Sequence, residues 1–174
     1  MPASLVPVYR AGRQLLKVRV MVWFLAIVAA GAIYYGAGIA RTYGIRDADG
    51  GVLKPLGVRL AFGGFVASLG IAAAAGMLLY ARHYIARVAF DEASGQFEIH
   101  TVGLLGSQRH SCELRPGGRT EFHNPGVPLS KVAVDAPWWS VDVVGRQWPL
   151  ILDAQGEVLD RARLNEFLSS RVKL

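Results

Sequence analysis

Three histidines and one cysteine are the side chains best suited to hold a metal: His100, His110, Cys112 and His123. On a strand, residues two apart share a face, so His110 and Cys112 would point the same way. If the turn "GLLG" (103–106) sets His100 opposite His110, three ligands converge, a soft set that suits copper or zinc. His123 lies in a loop whose path is open. H-x-C is a common spacing, and we favour the reading that these are scattered hairpin and surface residues. No metal and no other cofactor is expected. No other spacing points to a reaction. The chain has no C-x-x-C, no H-E-x-x-H and no G-x-G-x-x-G. Its glycine pairs at 50–51, 63–64 and 117–118 lack the strand–turn–helix setting of a phosphate loop. Ser, His and Asp occur, but nothing places them as a triad. The expectation is a protein that is not an enzyme. A single cysteine excludes an internal disulfide.

The elements that would position these residues follow from hydropathy and charge. Of 174 residues, 52% are apolar and only 18% charged, and mean hydropathy is +0.31, high for a soluble domain. Residues 20–40 and 60–81 contain no charged side chain. Each run has the roughly 20 residues a helix needs to cross a bilayer core. Trp23 and Phe24 lie near one end of the first run and Tyr34, Tyr35 and Tyr43 near the other. Tyr80 and Tyr84 mark the exit of the second. Such placing suits aromatics at membrane interfaces.

The net charge of +6 flanks these runs. Residues 1–59 carry eight basic and two acidic side chains, whereas residues 82–174 carry eleven of each. Nucleic acid is therefore not an expected partner; membrane lipid is. Two spans put both termini on one side. Six Lys/Arg in the tail and residues 82–87, against four in the connection, favour the cytoplasm or the mitochondrial matrix for that side. The basic start resembles a signal n-region, but the apolar run behind it is too long for an h-region, so an uncleaved anchor fits better. No separate Ser/Arg-rich transit peptide is evident.

The division expected is a basic tail at 1–19, a transmembrane hairpin at 20–81 and a soluble β-rich domain at 82–174. In the last, "QFEIHTV" alternates, with Phe97, Ile99 and Thr101 on one face. With "HYIARVAF" before it and "SQRHSCEL" after "GLLG", it forms a meander. "WWSVDVV", a turn at Gly145 and "QWPLILD" form a second hairpin. Asp160 is an N-cap for an amphipathic helix with Leu164, Phe167, Leu168 and Val172 at helical spacing. The fold class is an α+β membrane protein: a two-helix hairpin, then a small antiparallel β domain with a C-terminal helix.

Small residues recur at every fourth position of the second span: Gly64, Ser68, Ala72 and Gly76. The first span has Ala32, Gly36 and Ala40. Helices in lipid associate through close packing, which small residues permit. The favoured expectation is that the two stripes meet and close the hairpin. The sharper one is that a stripe receives a helix of another membrane protein. No charged side chain lies within either span, which argues against a transporter or channel. Trp138 and Trp139 face opposite ways on a strand, so one can fill the core while the other stands on the far face; the favoured expectation is that both are core or hairpin aromatics, and the alternative is an anchor against a partner or the bilayer surface.

The segments "YARHYIARVAFDEASGQFEIHTVGLLGSQRHSCEL" and "GRQWPLILDAQGEVLDRARLNEFL", behind an apolar hairpin, resemble the small two-pass mitochondrial inner-membrane assembly factors, transmembrane protein seventy and its relatives. Arg87, Val88, Gly103 to Gly106, Trp148, Leu150 to Asp153 and Gly156 carry the likeness, which covers about residues 60–170. It implies a membrane hairpin with both ends in the matrix and a compact matrix domain. It also implies a role in assembling complex I, cytochrome oxidase or ATP synthase, with no catalytic residues to carry over. The expected function is thus a non-enzymatic accessory subunit or assembly factor of a respiratory-chain membrane complex, partnered by that complex's other subunits. Alternatives are a copper-handling protein for oxidase maturation through His100, His110 and Cys112, or a free-standing two-pass protein. A bacterial inner membrane is the other location the residues allow.

Overall fold

The fold is given by a computed structural model that describes residues 5–45, 50–103, 106–116, 120–123, 128–129, 132–133, 136–145 and 148–173. The element order is β1 (Leu5–Arg10), α1 (Arg13–Thr42), α2 (Leu56–His83), β2 (Ile85–Asp91), β3 (Gln96–Val102) and β4 (Ser107–Pro116). Then come β5 (Glu121–His123), β6 (Pro128–Leu129), β7 (Val132–Ala133), β8 (Trp138–Val141) and β9 (Leu150–Asp153). The chain continues with β10 (Glu157–Val158), α3 (Arg161–Leu168) and β11 (Ser170–Lys173). This is the expected α+β layout. The chain divides into two compact units, Val20–Leu79 and Met1–Arg19 with Tyr80–Leu174.

The first unit is the helical hairpin. Both helices are long and apolar enough to cross a membrane, where backbone groups must be satisfied internally, as a helix satisfies them. Gly44, at φ 101°, turns the chain out of α1, and a Cβ there would fall 2.7 Å from the Lys54 amide. Tyr43 O accepts from Lys54 N at 3.1 Å, which closes the connection. Pro55 O accepts from Val58 N (3.0 Å) and Arg59 N (3.2 Å) and starts α2, a place where proline sacrifices no donor. Arg59 reaches back, its Nη1 donating to Ala40 O and Arg41 O, each at 3.2 Å. A cation on the last carbonyls of α1 meets both their unpaired acceptors and the negative end of the helix dipole.

The second unit contains a six-stranded sheet in the order β10-β1-β2-β3-β4-β11, a three-stranded sheet β5-β8-β9 and the two-stranded pair β6-β7. The meander β2-β3-β4 and the hairpin β8-β9 are as the alternation implies. The inner pair of the "GLLG" turn, residues 104–105, lies outside the described residues. Parallel bridges Tyr84↔Ile151 and Val143↔Val172 join the sheets. Tyr9, Tyr84, Ile85, Phe97, Ile99, Leu150, Leu152 and Phe167 are fully buried between the layers. Each such side chain contributes about 1.5–3 kcal/mol by leaving water. Asp160 caps α3 by accepting from Arg163 N at 3.0 Å, and Phe167 packs against Phe97 with the ring centroids 5.7 Å apart and the planes tilted.

Two expectations are corrected. The residues read as a basic tail include an inner strand: β1 pairs with β2 along its length and with β10 at Tyr9 and Arg10. Val8 O also accepts from Leu159 N and Asp160 N, at 2.9 and 3.1 Å. Cationic content and Pro7 mask the strand, whose partners are distant in sequence. The sheet unit therefore includes Arg10, Arg13, Lys17 and Arg19, with no acid to match them in its N-terminal segment. Val172 is not on the C-terminal helix. That helix ends at Leu168, and Val172 is buried in β11, which pairs with the outer edge of β4.

Candidate functional site

The hairpin seam is built from small residues, but on the second helix they are not the expected ones. A Cβ on Gly36 would run into Gly63 O, and one on Gly63 into Gly36 O. Ala40 Cβ lies 3.2 Å from the Gly63 Cβ position, and Ala67 Cβ lies 3.3 Å from the Gly36 one. A Cβ on Gly70 would sit 2.5 Å from Ala32 Cβ and 3.1 Å from Ala29 Cα. Ala29, Ala32, Gly36 and Ala40 therefore pack against Gly63, Ala67 and Gly70. The first-span stripe Ala32, Gly36 and Ala40 faces the hairpin.

Gly64, Ser68, Ala72 and Gly76 do not face it. All four are exposed, and nothing lies within 4 Å of a Cβ on Gly64 or Gly76. Ser68 Oγ turns inward to its own helix, donating to Phe65 O at 2.8 Å. At about 100° per residue, these four positions lie from about 90° to about 210° around α2 from the middle of the seam. The expected meeting of the two stripes is corrected: the hairpin closes on one face of α2, and the fourfold stripe occupies the opposite face, open along its length.

The metal constellation does not assemble. The β3–β4 register pairs His100 with Arg109, and Ile99 with His110. A one-residue slip from the expected pairing puts His100 and His110 on opposite faces of the sheet. His100 Nε2 contacts the Glu98 carboxylate. His110 Nε2 lies 3.4 Å from Thr101 Oγ1 on the other face. Cys112 is buried, and its Sγ donates to Phe97 O at 3.0 Å. Burial, and then the negative charge of Glu98, push the thiol up to about 12, so it stays neutral at physiological pH. His123 sits on β5 in the other sheet, stacked on Trp138 at 4.2 Å. Among the described residues no three His, Cys, Asp or Glu side chains could together hold a metal ion.

Trp138 and Trp139 are both half-buried. Trp139 packs on Phe122 at 5.6 Å. Trp148, not singled out by spacing, is 67% exposed. The buried polar node of the unit is one that sequence spacing could not reveal. Tyr9 Oη donates to Asp153 O at 2.8 Å, and Tyr84 Oη donates to the Asp153 carboxylate at 3.1 Å. Desolvation first, then the charge of Asp153, raise both phenols above their ordinary range. Neither is set to ionise, and the node ties β1, β9 and the residue that leads into β2 together.

The sequence pattern of the TMEM70/TMEM186/TMEM223 protein family matches residues 20–169. The chain belongs to this family. The match takes in most of α1, all of α2 and the sheet domain from β2 to the end of α3, and leaves out β1 and β11. Positions that carry the TMEM70-family likeness have structural tasks here. Asp153 receives the two tyrosines, and a Cβ on Gly156 would run into the Tyr9 hydroxyl. Val88 is fully buried beside Tyr9. No curated protein and no solved structure matches the chain. Membership of the TMEM70 family, together with two membrane-length helices, identifies a membrane protein and is consistent with a role in assembling a respiratory complex.

Proposed function

We propose that the chain is a non-enzymatic accessory subunit or assembly factor of a respiratory-chain complex. In this reading it sits in the mitochondrial inner membrane with both termini in the matrix and engages the complex through its helices. The observation that carries the reading is the family match over residues 20–169. The hairpin supports it. The two helices hold each other through Gly36, Gly63 and Gly70, which leaves the face with Gly64, Ser68, Ala72 and Gly76 for a neighbouring helix. Lipid tails gain nothing from small side chains, whereas a docking helix gains close backbone approach. The copper-handling alternative loses its geometric basis, since His100 and His110 lie on opposite faces. The Cys112 thiol is buried and neutral, and the Tyr9 and Tyr84 phenols are held protonated, so none of these three is set to act as a nucleophile.

The test is genetic. Deleting the gene should lower the amount of one assembled respiratory complex while its individual subunits are still made, and the wild-type chain should restore it. Unchanged levels of every assembled complex would overturn the proposal.

A further inference from the structure

One rung of the six-stranded sheet carries four basic residues in a row. Arg10 on β1 pairs with Arg87 on β2, Arg87 with His100 on β3, and His100 with Arg109 on β4. Register partners share a face, and like charges set directly opposite destabilise a sheet. Bulges in β1 and β2 lie just before Arg10 and Arg87, and such irregularities re-aim side chains. Two acids adjoin the rung: Glu157 on β10, the register partner of Arg10, is exposed and forms no ion pair with Arg10 among the described residues, and Glu98 is committed to the far end, to His100 and to Arg109 at 2.5 Å. Among the described residues no carboxylate pairs with Arg10, Arg19 or Arg87, and Arg87 Nε is buried without a hydrogen-bond partner. These side chains line a recess of about 400 Å³ together with Leu15, His100 and Ser107. A cleft with several guanidinium donors and an orphaned one among them calls for an anion with several acceptor oxygens, which is the chemistry of a phosphate group.

Depth along α1 selects the source of that phosphate. Arg19 immediately precedes the charge-free run 20–40. At about 1.5 Å per residue that run covers about 31 Å, the thickness of the hydrocarbon core. Arg19, and Leu15 one turn earlier on the same face, therefore lie at the level of the lipid phosphates. We propose that Arg10, Arg19 and Arg87 form a headgroup site for an acidic phospholipid of the leaflet at the N-terminal end of α1. The proposal goes beyond the assembly role and stands independently of it.

The test uses the full chain in mild detergent, with lipid retention counted by native mass spectrometry and thermal melting followed on adding phosphatidylglycerol, phosphatidylcholine or inorganic phosphate. Wild type should retain phosphatidylglycerol and melt higher with it, but not with phosphatidylcholine. Arg10→Gln with Arg87→Gln should weaken phosphatidylglycerol binding about 30-fold, at about five-fold per arginine beside an anionic lipid. Without lipid this double variant should melt no lower than wild type, because it relieves a like-charge pair. Arg19→Gln, off the sheet, should weaken binding about five-fold. Arg115→Gln with Arg161→Gln, which removes the same charge away from the recess, should bind as wild type does. Any of four results would overturn the proposal: equal stabilisation by phosphatidylcholine; undiminished phosphatidylglycerol binding in the Arg10/Arg87 variant; a lipid-free collapse of that variant, which would make the arginines structural; or full stabilisation by inorganic phosphate at equal concentration, which would make the recess a site for a free anion.

Discussion

Gly70→Leu should open the helical hairpin, whereas Ala72→Leu, two residues further on, should leave it closed. A Cβ on Gly70 sits 2.5 Å from Ala32 Cβ and 3.1 Å from Ala29 Cα, while carbon atoms settle at about 3.5–4.0 Å. The helices must part by about 1 Å to admit the first carbon alone, and leucine adds three more. A gap of 0.5–1 Å already forfeits about a quarter to a half of each dispersion contact, and lipid provides no hydrophobic drive to offset that loss. Overpacking of a tight contact costs about 1–3 kcal/mol. A value of about 2 kcal/mol shifts the closed-to-open ratio about 30-fold. Ala72 is exposed, about 170° around the helix from the seam. Spin labels on cysteines at Ile27 and Leu69, which are 70% and 55% exposed, would report the interhelix distance in lipid nanodiscs; the buried Cys112 should not compete for label. Gly70→Leu should lengthen and broaden the distribution, and Ala72→Leu should superpose on wild type. Equal opening by both variants, or by neither, would refute the assignment of the seam.

Arg59→Gln should cost about 1 kcal/mol through loss of the bonds to Ala40 O and Arg41 O; faster hydrogen exchange confined to the end of α1 and the connection would show it. The Cys112 thiol is raised to about 12 from 9.0, so its contribution to stability is fully present below pH 9 and is lost as pH rises toward 12. The loss amounts to at most about 4 kcal/mol. Cys112→Ser should therefore flatten the alkaline fall in melting temperature, and thiol reagents at pH 8 should react only on unfolding. Tyr9→Ala should destabilise the sheet domain by about 3–5 kcal/mol, since a fully buried aromatic is lost. Tyr9→Phe should cost about 1 kcal/mol, the worth of the bond to Asp153 O; a melting point for Tyr9→Ala within a degree or two of wild type would contradict the strand's place in the core.

The elements whose signals are local were legible in the sequence. Two charge-free runs of membrane length gave the hairpin, because lipid leaves the backbone few other choices. Alternation gave β2-β3-β4, and Asp160 gave the start of α3. What failed depended on partners remote in sequence or on a single-residue choice. β1 is stabilised by β2 and β10, both far along the chain, and Val172 by the edge of β4. Gly63 and Gly64 are adjacent, and about 100° of helix rotation separates the seam from the outer face. The second span has small residues on several sides, so periodicity alone could not choose between them. The same kind of slip undid the metal set: pairing Val102 with Ser107 puts His100 opposite Arg109, with His110 on the other face.

The most direct test of the account is native gel migration of the tagged chain from its own membranes in mild detergent, with wild type, Ala72→Leu and Ile71→Leu compared. The account predicts that wild type and Ile71→Leu co-migrate with a large species containing respiratory-chain subunits, and that Ala72→Leu inserts and folds but runs largely free of it. Migration of all three as the isolated chain, or undiminished co-migration of Ala72→Leu, would contradict the claim that the outer face of α2 docks the protein on a respiratory complex.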